Sequence, residues 1–511
     1  MTPQGRRVLY FSICGFFLVA QVVLFTYFNI HSPKELITQS FVRSPTVNYT
    51  QICKAQRRSR YAFMDDKLSR DERKNSFLVT SLLEDQMTLF AQNRSAGEHL
   101  IIVFEKGQYV VNPFNLTSYT TLCILPYAEL SATTDINNYP LIHWLPSYGQ
   151  GREMPGPRYH NIIELYNVTD AHITGGGSIN GQGLFWWLQF QNKQLMYTRP
   201  HIIEVAYSNN IHISDISLFC SPFWTVHLYT SSYIYMTSVS IYNPTTEYLP
   251  TKGRFYQRSF YDFNKALGVP KKLQYLYSMQ KIIKNMLDSM NKDHLEGRRD
   301  ERLAPNTDGV VPDSCQYVYL NNLHIESGDD CIAIKSGWDD IGLDYNTPST
   351  HIYIQQLQCI APFRSAIAIG SETSGGISDV VCNHIDVVDA VRALGIKLAL
   401  GRGGHVHDIS YKDIQVQTAK YLFVIYSKHN QRRTGYTGTI LPLLDHVSLQ
   451  NATGTITNTP GLLEGFEDSD WHASDIRIED IHLETSEPWV CRNITLSSYV
   501  NVNIHTIQSC I

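Results

Sequence analysis

Charge is scarce in this 511-residue chain: Asp, Glu, Lys and Arg make up 17% of it, with a formal balance of only −5. So weak a balance gives no electrostatic footing for nucleic acid or an acidic lipid surface as partner. Zinc-type spacing is missing as well. None of the ten cysteines stands in a Cys-x-x-Cys pair, which argues against a structural zinc site. Apolar residues reach 43% and aromatics 12%, with 31 tyrosines. That composition suits a large core under a nearly neutral surface. Tyrosine rings stack on sugars, but they pack a β-rich body equally well.

A run that is both uncharged and mostly apolar stands at the start. Arg6 and Arg7 precede Val8 to Ile30, 23 residues without a charge. This is enough to cross about 30 Å of hydrocarbon as a helix. The arginine pair favours a cytosolic tip, so residues 1–30 are expected to form a transmembrane anchor and the body to lie outside or in a lumen. The run ends without a small-residue cleavage site; a cleaved signal peptide is the alternative. The expected location is the secretory pathway, as a single-pass type II membrane protein of the Golgi or cell surface, or as a secreted protein. Six acceptor triplets, at Asn48, Asn93, Asn115, Asn167, Asn451 and Asn493, fit a lumenal glycoprotein. Nine cysteines follow the apolar run, an odd number that leaves at least one unpaired.

Residues 31–75 are polar with basic patches and read as a stalk. Ser76 to Gln92 carries apolar residues at helical spacing, suited to capping the end of a solenoid. A phrase of alternating apolar residues around a short polar turn then recurs, starting at Ile211, Ile234, Val318, Ile352, Val380, Ile409 and Ile476. Four of the six steps are 23 to 34 residues, one solenoid coil each. The 67-residue step from Ile409 to Ile476 reads as two coils with the middle phrase degraded. Propeller blades of about 40 residues do not fit most of these steps. The expected fold is an all-β parallel β-helix over residues 76–511. The 84-residue step from Ile234 to Val318 holds an insertion, residues 249–304, with a helical pattern from Lys271 to Met290. Twelve Lys or Arg against seven Asp or Glu from Thr245 to Pro305 make it locally basic. An insertion this long beside a candidate site is expected to act as a flap.

The densest set of candidate catalysts follows it: Asn306-Thr-Asp308-Gly, then Gly328-Asp329-Asp330-Cys331. Glycosidic cleavage needs one carboxylic acid to protonate the leaving oxygen and one carboxylate to activate water, about 5–10 Å apart. Asp308 and Asp329 are 21 residues apart, which would stack them on neighbouring coils about 4.8 Å apart. Asp329 and Asp330 would face opposite sides of a regular strand, so both serve only if the turn at Gly328 twists them outward. On spacing alone, turn chemistry explains these residues equally well.

Together these phrases resemble the leading motifs of the polygalacturonases, glycoside hydrolase family 28, with the plant-type branch closest. The resemblance extends through Leu145-Pro-Ser-Tyr-Gly-Gln-Gly-Arg, Trp186-Trp187, Tyr197-Thr-Arg-Pro-His201, Ser221-Pro-Phe-Trp224, Lys335-Ser-Gly-Trp-Asp339 and Gly401-Arg-Gly-Gly404. It implies a right-handed β-helix and metal-free, cofactor-free inverting hydrolysis of α-1,4-linked galacturonic acid or a related acidic polysaccharide. It also implies Asp329 as general acid, with Asp308 and Asp330 activating water. Asn306 and Lys397 are expected to bind substrate. Cys331 matches a position that pairs shortly downstream, with Cys359 as candidate, and Cys491 with Cys510 would close the C-terminal end.

Two departures bear on specificity. Arg364-Ser-Ala366 stands where the family often has Gly-His-Gly. The family's Arg-x-Lys, which grips the substrate carboxylate, is reduced to Lys397, with Gly395 or Ala399 at the other position. A single lysine does not replace a bidentate arginine. Lys335 and Arg402 are candidate substitutes, although a structural role is expected for each. Two rivals to a galacturonan hydrolase therefore stand: a catalytically quiet carbohydrate-binding relative, and a hydrolase of altered glycan specificity.

Overall fold

In a computed structural model of the chain, the described residues are Cys53 and 59–510, apart from 152, 244–303, 430–434, 469–470, 472, 486 and 503–506. They belong to one compact unit, Tyr49–Glu247 with Arg302–Ile511. The anchor at residues 8–30, most of the stalk and nearly all of the insertion 249–304 lie outside the described residues. Among the described residues no helix is long and apolar enough to cross a membrane.

The body is a parallel β-helix: among the described residues 24 strands join in one sheet system, whose pairings are parallel throughout. All seven repeated phrases fall into a single ladder. Ile211 pairs with Ile234, then Val318, Ile352, Val380 and Ile409 follow in register. Ile409 pairs with Val447, and Val447 with Ile476, so the degraded middle phrase is the strand Leu443–Ile456. Each phrase bends at its fifth residue: Asp215, Ser238, Asn322, Gln356, His384, Asp413 and Asp480 all have φ between 48° and 56°. Left-handed backbone is strained for most side chains and least so for short polar ones that bond locally, which explains the polar centre of the phrase. Apolar residues on both sides of the bend point into the coil, where Ile211, Ile234, Val318, Ile352, Val380, Ile409 and Ile476 are all buried.

Helix α1 (Ser76–Asn93) forms where the apolar spacing predicted it, with the Asn75 side chain accepting from the Leu78 N–H at 3.2 Å. Val79, Leu83, Met87 and Phe90 join the core beside the first coils, so the end of the solenoid is covered. Outside the coils, aromatic rings stack in register: His172 on His212, His212 on Tyr235, Tyr235 on Tyr319 and Tyr319 on Tyr353, at 4.6 to 5.2 Å. Part of the tyrosine excess is thus spent on ladder packing.

Cys331 bonds to Cys359 and Cys491 to Cys510, the two expected pairings. A third disulfide, Cys53–Cys123, ties the segment before the first coil to the body and was not foreseen. Cys220, Cys315 and Cys382 are unpaired and buried. Asn93, Asn115, Asn167, Asn451 and Asn493 are all exposed. Asn167, Asn451 and Asn493 also have φ near 55°, so backbone demand contributes to their presence.

Because the coils depend on an unbroken inner stack, Ile352→Ala is expected to destabilise the body by about 2–5 kcal/mol. A lowered midpoint in chemical denaturation checks this; an unchanged midpoint would mean that the ladder is not the stabilising core.

Candidate active site

One wall of the solenoid carries the strands β1 (Val226–Tyr229), β2 (Val310–Asp313), β3 (Ile332–Ile334) and the ends of β4 (Ser349–Ile369), β5 (Ile377–Lys397) and β6 (His405–Tyr426). Val310 pairs with Ile332, Ile332 with Ile367, and Ile367 with Leu394. Counting back two residues on each coil gives one outward column: Asp308, Asp330, Ser365 and Arg392. Direct bonds agree, since Gly309 N–H donates to Asp330 O at 3.0 Å and Ser365 pairs with Arg392.

Asp308 therefore lies opposite Asp330 rather than Asp329, one residue from the expected register. The cause is the turn at 327–330. Thr307 Oγ1 accepts from Gly328 N–H at 3.1 Å, Ser327 Oγ accepts from Asp329 N–H at 3.1 Å, and Asp329 Oδ1 accepts from Asp330 N–H at 3.1 Å. Residue 328 must be glycine, because a Cβ there would sit 2.1 Å from Ala304 O. This tight turn swings Asp329 off the strand direction. One oxygen each of Asp308, Asp329 and Asp330 then lie within 4.8 Å of one another, all three residues being buried. The outward twist needed at Gly328 is present.

The electrostatics divide the three. Burial, then the Asp329 charge, push Asp308 up to about 8, against the pull of Lys335 and Lys397. Burial pushes Asp330 the same way, but the Lys397 ammonium, the Arg392 guanidinium and the Ser365 N–H outweigh it and hold Asp330 well below the usual carboxylate range. Lys397 Nζ donates directly to Asp330 Oδ2, and Ser365 N–H to Oδ1 at 2.8 Å. At neutral pH the site thus combines a protonated carboxyl with a fixed carboxylate, the pair that acid–base cleavage of an acetal requires. Three close carboxylates are also a conceivable cation site; here the charge of Asp330 is already met by Lys397.

Lys335 and Arg402 have structural roles, as expected. Lys335 Nζ bonds Glu372 Oε2 at 2.6 Å, and Arg402, wholly buried, pairs with Asp339 at 3.0 Å. Neither candidate substitute stands free for a ligand. Two arginines that the sequence reading did not assign to the site are there instead. Arg364 Nε lies 3.3 Å from Asp329 Oδ1 with a third of its side chain exposed. Arg392 lies three coils from Asp308 and one from Ser365, whose Oγ accepts from its Nε at 2.9 Å. Counting along the coil column finds Arg392; counting back from Gly-Arg-Gly-Gly across an irregular turn lands on Gly395.

Asn306 sits at φ 57°, with its Oδ1 accepting from Arg199 Nη2 at 3.4 Å. Arg199, buried and held by Glu153, also donates to Pro222 O at 2.9 Å and Pro305 O at 3.0 Å. It fastens the chain where it re-enters the solenoid just ahead of Asp308. On the other flank, Tyr148, Phe223, Trp224 and Trp338 pack as an apolar cluster over the wall.

Comparison with known proteins adds the following. Residues 148–506 match the family described as Glycosyl hydrolases family 28. A protein of Vitis vinifera called "Probable polygalacturonase" is 31% identical over 424 residues, covering 82% of this chain and 74% of that protein. The solved exopolygalacturonase of Thermotoga maritima superposes with a TM-score of 0.66 at 18% identity, covering 89% of this chain and 95% of the other. The polygalacturonase of Erwinia carotovora gives 0.55 at 16%, covering 81% and 93%. At such identities the two structures speak for the fold.

The raised Asp308 carries a stability consequence. With its folded value near 8 and an ordinary value of about 3.9, its protonation stabilises the fold fully below pH about 4. That contribution fades as pH rises through about 8. The difference in melting temperature between the parent and Asp308→Asn should therefore shift against the parent from pH about 4 to 8. A pH-independent difference would rule out the raised value.

Proposed function

Because the chain belongs to glycoside hydrolase family 28 and is a polygalacturonase-like glycoside hydrolase, we propose that it cleaves α-1,4-linked galacturonan, or a related acidic polysaccharide, with inversion. The observation that carries this reading is the grouping of Asp308, Asp329 and Asp330 within 4.8 Å, with one carboxyl protonated at neutral pH and one held ionised. The proton held on Asp308 reaches the leaving oxygen through Asp329, the general acid. Asp308, once its proton has left, takes up the proton of the attacking water, which Asp330 helps to orient. The trio thus ends the turnover with as many protons as it began with. No metal or cofactor enters this scheme.

Asn306 and Lys397 serve substrate binding in this reading, Lys397 by keeping Asp330 ionised as much as by direct contact. The uronate carboxylate is met by Arg364 and Arg392, whose planar forks suit it better than a lone ammonium. The presence of these arginines favours a charged polymer over a neutral one. Retention of the three carboxylates argues against a quiet carbohydrate binder. The exposed acceptor asparagines and three disulfides support a glycosylated body made in the secretory route, and the uncharged run at 8–30 supports its anchoring to the membrane. The coil is proposed to be right-handed, as the resemblance implies.

With the purified full chain and polygalacturonate, reducing-end release should fall at least about a hundredfold in Asp329→Asn and in Asp308→Asn, the scale of acid–base groups. Arg364→Ala and Arg392→Ala should raise KM more than they lower kcat. Near-normal turnover in both aspartate variants would refute the assignment. Binding without hydrolysis in the parent would establish the quiet relative.

A further inference from the structure

Away from the aspartate trio, three imidazoles gather around one carboxylate. His405 and His407 open strand β6, separated by one residue and hence on the same face of the strand. The intervening Val406 is buried in the coil, so both histidines face outward. On the next coil, β7 (Leu443–Ile456) places Asp445 in register with His407. His405 Nε2 lies 2.7 Å from Asp445 Oδ2, and the rings of His405 and His407 are 4.1 Å apart. One ligand atom each of His405, His407 and Asp445 lie within 4.8 Å of one another. The turn 398–404 separates this group from Lys397 at the end of β5, so it stands on another side of the coil from the column of Asp308 and Asp330.

We propose that His405, His407 and Asp445 bind a divalent transition metal ion of the zinc class. The donor set decides the class. Two imidazole nitrogens and one carboxylate oxygen match zinc and its neighbours, whereas calcium and magnesium require oxygen ligands almost exclusively. Three protein ligands leave the fourth tetrahedral position to water.

Outer partners are already in place. His407 Nδ1 lies 2.7 Å from Asp408 Oδ2, which fixes the ring and leaves Nε2 as the ligating nitrogen. His446 Nδ1 lies 2.6 Å from the other oxygen of Asp445, holding that carboxylate from behind. Carboxylate–histidine pairs of this kind orient metal ligands and raise their basicity. The side chains of His405, His407 and Asp445 are 40%, 31% and 22% exposed, so an ion has direct access.

The test is isothermal titration of the untagged full chain, stripped with a chelator, with zinc chloride. The parent is expected to bind one zinc ion at this site. His405→Gln and His407→Gln should each weaken that event at least about tenfold, and Asp408→Asn should weaken it less, as outer partners do. His351→Gln, which removes a different His–Asp pair at 3.3 Å, should leave it unchanged. Circular dichroism checks each variant's fold, and Asp445→Asn, of nearly equal volume, replaces any histidine variant that misfolds. No zinc binding by the parent, or equal binding by the parent and the His405 and His407 variants, would overturn the proposal.

Discussion

The ion pair between Lys397 and Asp330 is the contact on which the site depends. It can form only because parallel coils are in register: β3 brings Asp330 to the wall, and β5, two coils further on, brings Lys397 within reach of it. A buried carboxylate without such a partner would take up a proton. Asp330 and Asp308 would then both be neutral, and the site would hold acid without base. Because Lys397 is committed to Asp330, it is poorly placed to be the main grip on a substrate carboxylate. Arg364, at the same wall, keeps a third of its side chain exposed.

The same logic explains why three carboxylates tolerate one another at such close range. Repulsion and burial together drive one proton onto Asp308, while Lys397, Arg392 and the Ser365 N–H fix the ionised state of Asp330. Rigidity comes from the turn at 327–330, whose backbone donors are taken by Thr307, Ser327 and Asp329 itself. Arg199 anchors the strand that carries Asp308 from below. Within Tyr197-Thr-Arg-Pro-His201, Arg199 thus supports the chain that carries Asp308.

The coil architecture was readable in the sequence because one physical requirement repeats on every turn. A left-handed bend calls for Asp, Asn, Ser or a similar polar residue between two apolar inward positions. Positions that leave the regular coil were less readable. Asp308 was expected opposite Asp329 because simple counting ignores the tight turn at Gly328. Counting across the turn 398–404 leads to Gly395 rather than Arg392, and Arg364 stands beside the position of the usual histidine, which is Ser365 here. Cys53–Cys123 joins residues 70 apart, and no local pattern marks such a pairing. The commitment of Lys335 to Glu372 and of Arg402 to Asp339 is tertiary in the same sense.

The central claim is that water, not a carboxylate, attacks the sugar. The oxygens of the trio lie closer together than the 6.5–9.5 Å typical of inverting pairs, so spacing alone would favour a covalent intermediate. Bonding argues the other way: both oxygens of Asp330 are engaged, and Asp308 carries a proton at neutral pH, which leaves each a poor nucleophile. Proton NMR of the first products from α-linked polygalacturonate decides between them. The account predicts that the β-anomer forms first, with the α-anomer appearing only by mutarotation. Initial release of the α-anomer would contradict it.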